Sequence, residues 1–200
     1  MRRLKFVVLG EPGVGRTTLI ESYVLGTSTA TGTSARPRSF MQCDTSNYHI
    51  NVVVEGCPYS LQIYDPESDI DQEELSLLLQ SERPDAVILM YDISNFESYS
   101  SVEDRYRQVR HALPTVKCVL VANKLDLRIR NPQMLPLITV QEGNSMSEKL
   151  RMRYFIETSG INLRNVEDLI DQTVRLSSPA LSEINLRFSR RKRGRDCAIM

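Results

Sequence analysis

Gly10-Glu11-Pro12-Gly13-Val14-Gly15-Arg16-Thr17-Thr18 lies between an apolar run, Leu4–Leu9, and a segment with helical patterning, Thr17–Leu25. A glycine-rich turn joining a strand to a helix has the physical make-up of a phosphate cradle. Glycines let the backbone approach closely and turn its N–H groups inward, and the helix N-terminus adds partial positive charge. The stretch satisfies G-x-x-x-x-G-K-[ST] at every place but one, where Arg16 stands for the lysine. Taken alone it also suits a purely structural turn, so the rest of the chain decides its meaning.

Outward from this loop, the chain alternates strand and helix signals. After Gly26, residues 27–45 show no periodicity and are expected to form a long exposed loop. Tyr48–Val54 and Tyr59–Tyr64, separated by Glu55-Gly56-Cys57-Pro58, carry a hairpin signature. Helices are expected at Gln72–Gln80, Phe96–Leu113, Val140–Arg153 and Val166–Leu176. Further strands are expected at Ala86–Tyr91, Val116–Ala122 and Tyr154–Glu157. Continuous apolar runs such as Ala86–Tyr91 suit parallel strands covered on both faces. The expected architecture is therefore an α/β fold with a six-stranded, mostly parallel sheet. One antiparallel hairpin strand would form its edge, and helices would cover both faces. Ligands of such sheets bind outside the carboxyl ends of the strands, which is where Gly10, Asp65, Asn123 and Thr158 fall.

A chain of 200 residues suits one well-cored domain, expected at 1–177. No apolar run approaches the roughly 18 residues of a membrane span, and Met1-Arg2-Arg3 leads into no secretory signal. The four cysteines are scattered and lack C-x-x-C spacing, which argues against a disulfide framework or a zinc site. Cys43, Cys57 and Cys118 read as reduced thiols, Cys118 within a buried strand. Residues 187–200 hold six of the 25 basic residues and one of the 25 acidic ones. The remaining body thus carries 19 basic against 24 acidic residues, a net of −5. A mildly acidic body with a basic tail assigns any anionic surface to the tail.

Asn123-Lys124-Leu125-Asp126 follows a buried strand. A carboxylate there can accept two hydrogen bonds, from the N1–H and the exocyclic amine of guanine, a pairing adenine cannot match. Glu157-Thr158-Ser159-Gly160 follows the last strand and can offer backbone N–H groups to the base oxygen. With the phosphate loop, the Asp65 position and these two segments in order, the chain resembles a small GTPase of the Ras family over essentially its whole length. That resemblance implies GTP/GDP binding with Mg²⁺, two switch loops, exchange factors, GTPase-activating proteins and effectors. It gives Gly10–Thr18 to the phosphates and a Mg²⁺ ligand role to the Thr17 hydroxyl. Asp65 holds the metal through water, Asp126 selects guanine, and Asn123, Lys124, Thr158, Ser159 and Gly160 complete the base pocket.

Several residues depart from the family pattern. Arginine's planar fork is wider than the compact ammonium of lysine, so Arg16 is expected to weaken nucleotide binding. Pro12 stands where glycine is usual, and its ring fixes φ and removes an N–H. The second switch pattern, Asp-x-x-Gly-Gln, is here Asp65-Pro66-Glu67-Ser68-Asp69. Ser68 occupies the glycine position. Asp69 occupies that of the water-orienting glutamine, where a carboxylate cannot donate to water and repels phosphate. Unaided hydrolysis is therefore expected to be slow. Ungapped counting from Asp65 puts Cys43 at the first-switch threonine, with Thr45 as the substitute Mg²⁺ ligand.

The chain closes on Cys197-Ala198-Ile199-Met200, a C-a-a-X pattern that favours farnesyl on Cys197. One lipid anchors marginally. Arg187, Arg190, Arg191, Lys192, Arg193 and Arg195 would add roughly 1 kcal/mol each at an anionic leaflet. Residues 178–200 are thus expected to be a flexible basic tail. The expected location is the cytoplasmic face of the plasma membrane, with a cytosolic pool; a nuclear address or nucleic-acid contact is the disfavoured reading of the cluster. Two functions follow: a Ras-type, membrane-anchored switch with weak intrinsic hydrolysis, or a pseudo-GTPase kept as a lipidated interaction module. A P-loop kinase or ATPase is disfavoured by the guanine-selecting Asp126.

Overall fold

The computed structural model describes residues 1–25, 39–44, 46–67, 69–130 and 136–178, with residue 25 and residues 39–44 described by backbone alone. The strands are β1 (Arg2–Gly10), β2 (Ser39–Asp44), β3 (Asn47–Val54), β4 (Cys57–Tyr64), β5 (Ala86–Asp92), β6 (Lys117–Asn123) and β7 (Tyr154–Glu157). The helices are α1 (Arg16–Leu25), α2 (Gln72–Glu82), α3 (Phe96–Ala112), α4 (Leu127–Arg130), α5 (Val140–Lys149) and α6 (Val166–Ser177). The strands lie in the order β2-β3-β4-β1-β5-β6-β7. β4, β1, β5, β6 and β7 pair parallel, while β3 is antiparallel to both its neighbours.

All six expected strands form, and only β3 runs against the rest. The sheet also gains a seventh strand. β2 pairs with β3 from Ser39↔Asn51 to Asp44↔Asn47, with an irregularity between Gln42 and Asp44. The hairpin strand is therefore not the edge, and residues 39–44 are not part of a loop. Backbone pairing to one neighbour suffices for an edge strand, and it leaves little alternation to read in Phe40-Met41-Gln42-Cys43.

Alternation through the parallel strands divides the core. Phe6, Val8, Ile88, Met90, Val119, Val121 and Ile156 face α1 and α6, meeting Leu19, Ile20, Tyr23, Leu169, Ile170 and Val174. Val7, Leu9, Val87, Leu89, Tyr91, Cys118 and Leu120 face the other way, against Leu75, Leu79, Val102, Val109 and Met146 of α2, α3 and α5. β5 is buried at every position because both of its faces are covered. Burial pushes the Cys118 thiol up to about 11, which leaves it an inert core group, whereas Cys57 is exposed at the β3–β4 turn.

Helix α5 begins where expected, with a reciprocal capping box between Thr139 and Glu142. It stops at Lys149 rather than Arg153, because the chain turns through a positive φ at Arg151 and enters β7. Gly143 allows this helix to lie close to the sheet: a Cβ there would sit 2.3 Å from Phe155 Cζ and 2.7 Å from the Tyr91 hydroxyl oxygen. Gly143→Ala is expected to destabilise the protein by about 1–3 kcal/mol through overpacking, although alanine is the better helix former by ~1 kcal/mol. Thermal unfolding checks this; a stabilised variant would show that helix and sheet are not in tight contact.

The short α4 follows Asp126, whose backbone carbonyl accepts from the N–H groups of Ile129 and Arg130 at 3.1 and 3.0 Å. At the other end of the chain, Ser178 belongs to the body rather than to the tail. It is buried, and its hydroxyl oxygen accepts from the Tyr59 hydroxyl at 3.1 Å. No helix among the described residues is long and apolar enough to cross a membrane.

Candidate functional site

β1, β4, β6 and β7 deliver Gly10, Asp65, Asn123 and Thr158 to one edge of the sheet, as their carboxyl ends or the residue just beyond. Gly10 packs where its own strand meets β5, since a Cβ would fall 2.6 Å from the Met90 carbonyl oxygen. Beyond it the chain wraps through Gly13 and Gly15, both at positive φ (78° and 90°), and enters α1 at Arg16. A side chain is strained at those angles, and at Gly15 a Cβ would also meet the Asn123 amide nitrogen at 2.7 Å. Glu11, Pro12 and Gly13 lie at the outer rim, with Pro12 and Gly13 exposed. Val14 is buried beneath the loop. Thr17 and Thr18 are exposed on the first turn of α1.

The Asn123–Asp126 and Glu157–Gly160 segments are tied to this loop and to each other. Asn123 Nδ2 donates to the Val14 carbonyl at 2.9 Å, while Thr158 Oγ1 donates to Asn123 Oδ1 at 3.1 Å. The Leu125 N–H donates to the Thr158 carbonyl at 2.9 Å, and the Thr158 N–H to the Ala122 carbonyl at 2.8 Å. Ser159 Oγ donates to Asp126 Oδ1 at 2.6 Å. Asp126 Oδ2 faces the Arg130 guanidinium at 3.8 Å. Asn123, Asp126, Thr158 and Ser159 are all buried. Gly160 passes close over α1, where a Cβ would meet Leu19 Cα at 3.0 Å. A carboxylate fixed in this way can present acceptor lone pairs to a base edge without reorganising.

Lys124 takes a positive φ of 67°, and its ammonium is 2.8 Å from Asp92 Oδ2. The other oxygen of Asp92 accepts from the Ser94 N–H and hydroxyl, each at 2.8 Å. Sequence reasoning missed Asp92. The available signal was its place: it ends β5 and pairs in register with Asn123, so it also lies on the functional edge.

Charges gather around the start of α1. Arg16 and Asp65 are both buried, with Arg16 Nε 3.2 Å from Asp65 Oδ1, and Thr17 Oγ1 donates to Asp65 Oδ2 at 2.5 Å. Burial lowers the Arg16 pKa below the ordinary arginine value. Asp65 and Glu11 oppose that shift, and the nearby Arg105 adds to it. Arg105, from the middle of α3, lies 3.7 Å from Glu11 and donates to the Ile70 carbonyl at 3.3 Å. It thereby links the glycine loop to the segment that precedes α2, a contact invisible to local spacing. Asp69 and Glu67 are exposed in that segment, and Pro66 is buried. Ser68, Thr45 and Cys197 lie outside the described residues, as does the basic cluster from Arg187 to Arg195.

Comparison with known proteins agrees with this edge. The Ras family model matches residues 5–178. The Ras-like GTP-binding protein RhoL of Drosophila melanogaster is similar, at 27% identity over 175 residues, spanning 87% of this chain and 86% of that protein. The glycine loop, the Asp65 strand end and the loops after β6 and β7 come together on a sheet of this topology, within the stretch that the family model spans. The chain belongs to the Ras family of small GTPases.

Proposed function

We propose that this GTPase is a membrane-anchored switch that holds guanine nucleotide better than it hydrolyses it. The observation that carries the reading is the continuous bonding of the base side to the phosphate loop, from Ser159 and Asp126 through Thr158 and Asn123 to Val14. Such preorganisation favours binding, because little ordering remains when nucleotide arrives. In this reading Asp126 accepts from the guanine edge, Lys124 flanks the base, and Gly160 offers its N–H to the base oxygen, because the Ser159 N–H expected to share that role already donates to the Arg164 carbonyl at 3.1 Å. The backbone from Gly10 to Thr18 surrounds the phosphates, and Arg16 faces their charge.

The residues also suit Mg²⁺, which takes hard oxygen donors. The Thr17 hydroxyl gives its proton to Asp65 and so keeps lone pairs for a cation, while buried Asp65 Oδ1 accepts no hydrogen bond. Thr17 would be a direct ligand, Asp65 a ligand through water, and Thr45 the first-switch ligand. When bound, the ion neutralises charge between the β- and γ-phosphates.

Hydrolysis is the weak half. The glutamine position is held by Asp69, and exposed Glu67 adds a second carboxylate to the same loop. Two acids where the γ-phosphate must gain charge raise the barrier rather than lower it. The pseudo-GTPase reading is favoured by the same two acids, and by the Arg16 guanidinium lying against Asp65. Single-turnover phosphate release separates the two, since only a switch releases phosphate from bound GTP.

For nucleotide binding the test is direct. Protein purified without added nucleotide is denatured, and what it releases is resolved by anion-exchange chromatography. GDP or GTP near one equivalent supports the reading; adenine nucleotide, or none, contradicts it. The anchor rests on Cys197 and the basic cluster. Cys197→Ser is expected to move most of the protein from the membrane pellet to the supernatant of fractionated cells, because the basic residues alone bind weakly and reversibly. An unchanged distribution would remove Cys197 from the account.

A further inference from the structure

The body's small negative charge hides an uneven distribution. Opposite the edge that carries Gly10, Asp65, Asn123 and Thr158 is the edge where β1, β4, β5, β6 and β7 begin. The charged segments that cross it are residues 1–5, 55–59, 82–86, 110–117, 148–154 and 175–178. Together they hold ten of the 19 basic residues in 1–186 and four of the 24 acidic ones, a net of +6. The rest of 1–186 therefore has nine basic against twenty acidic residues, a net of −11.

Three of the four acids on this edge are engaged there. Glu55 lies 3.0 Å from Arg175, Glu82 lies 2.8 Å from Lys5, and Asp85 accepts from the Lys5 N–H at 2.8 Å. Arg2, Arg3, Arg83, Arg151 and Arg153 are exposed and Lys117 is half-buried, and among the described residues none of the six has an ion pair. Sheet register sets them side by side. Arg2 and Arg3 open β1, Ala86 of β5 pairs with both Phe6 and Lys117, and the Arg153 N–H donates to the Cys118 carbonyl at 2.9 Å. Three strand steps separate β1 from β7, so the row is roughly 15 Å wide. Arg83 and Arg151 join it from the ends of α2 and α5 at positive φ, 47° and 51°, where glycine is the unstrained choice. A cation beside a helix C-terminus complements the helix dipole. That accounts for Arg83 and Arg151, but not for Arg2, Arg3, Lys117 and Arg153 where strands begin.

The chain also leaves the body at this edge. The Ser178 hydroxyl oxygen accepts from the Tyr59 hydroxyl at 3.1 Å and from the Arg2 guanidinium at 3.5 Å. Eight residues separate Ser178 from Arg187, a reach of at most roughly 30 Å. We propose that this edge is a second lipid-facing surface, on which Arg2, Arg3, Arg83, Lys117, Arg151 and Arg153 lie against an anionic leaflet. The inference rests on the anchored reading above and adds to it an orientation of the body. A broad row of unpaired cations suits a leaflet, which presents negative charge over an area rather than at one point. Each basic residue near such a surface multiplies binding about fivefold, which reinforces the marginal hold of a single lipid. Because the sheet is rigid, contact at this edge turns the nucleotide edge away from the membrane.

The experiment uses the full farnesylated chain and sedimentation with phosphatidylcholine vesicles, with and without phosphatidylserine. The triple variant Arg3→Gln/Arg151→Gln/Arg153→Gln removes three exposed charges. It is expected to bind the phosphatidylserine vesicles at least about tenfold more weakly, and to bind phosphatidylcholine alone as the natural chain does. Unchanged binding to phosphatidylserine vesicles, or a loss confined to binding of a polyuridine RNA, overturns the inference and leaves the anchored reading standing. A natural chain that binds neither vesicle overturns both. Orientation gives a second readout with these charges intact. The chain holds no tryptophan, so Phe96→Trp and Thr115→Trp each supply a single reporter. Both positions are exposed, at opposite ends of the 17-residue α3, about 25 Å apart. Energy transfer to a dansyl-labelled phospholipid is expected to be severalfold stronger from Thr115→Trp. Equal transfer, or stronger transfer from Phe96→Trp, overturns the inference.

Discussion

Asp126→Asn is expected to lower affinity for GDP or GTP roughly 100- to 10,000-fold while the protein stays folded. Asp126 Oδ1 already accepts from Ser159 at 2.6 Å, and the buried carboxylate has lone pairs remaining for two donors on the guanine edge. Asparagine keeps the Ser159 hydroxyl as donor by turning its oxygen toward it. Its NH₂ group then faces the guanine N1–H and amine, donor against donor. Flipping the amide restores an acceptor for one base donor only, while its NH₂ group donates to the Ser159 hydroxyl oxygen and so reverses that bond. Hydrogen bonds to a charged group are each worth about 1.5–3 kcal/mol, so losing two costs about 3–6 kcal/mol, at about 1.4 kcal/mol per decade of affinity. Fluorescence titration at fixed Mg²⁺ gives the number, and circular dichroism confirms the fold. Unchanged affinity would show that guanine is not read by Asp126.

Asp69→Gln is expected to raise the single-turnover rate of phosphate release roughly 10- to 100-fold, a modest share of what one well-placed donor or base contributes. Glutamine removes a negative charge from beside the developing phosphate charge. It also restores an amide that can both accept from a water and donate to an oxygen. Gain of activity on replacing a carboxylate has no ready explanation through stability, because Asp69 is exposed and supports no helix cap; that role belongs to Asp71, which accepts from the Glu74 N–H. A natural rate equal to or above the variant's would mean that Asp69 does not stand at the water, and that another residue orients it.

Much of the fold could be read from local pattern because the parallel strands are covered on both faces. Ala86–Tyr91 is apolar throughout, Val116–Ala122 is apolar but for Lys117 at its mouth, and Tyr154–Glu157 coincides with β7. The helix core faces follow too. Leu169, Ile170, Thr173 and Val174 are all buried, with the Thr173 hydroxyl satisfied on the Leu169 carbonyl. β2 escaped because an edge strand with a single partner needs no apolar alternation. α4 escaped because one turn leaves no period to detect.

At the site, residues that must lie in a given loop order were legible: Gly10, Asp65, Asn123, Asp126 and Thr158. What could not be read was which of them hold each other. Asn123 bonding both Val14 and Thr158, Lys124 pairing with Asp92, and Arg105 spanning Glu11 and Ile70 are contacts made by topology. The Arg16–Asp65 contact is the most consequential of these, since it changes the sense of the substitution. Taken from the sequence, arginine in place of lysine reads as a damaged phosphate contact. In the fold it is a buried guanidinium at the start of α1, paired with Asp65 at the end of β4.

The measurement that tests the account most directly is a titration of the purified full chain with a fluorescent GDP analogue in Mg²⁺, competed by unlabelled GDP and by ATP. Saturable binding that GDP displaces and ATP does not is the expected result. No detectable binding at micromolar nucleotide, or equal displacement by ATP, would contradict it.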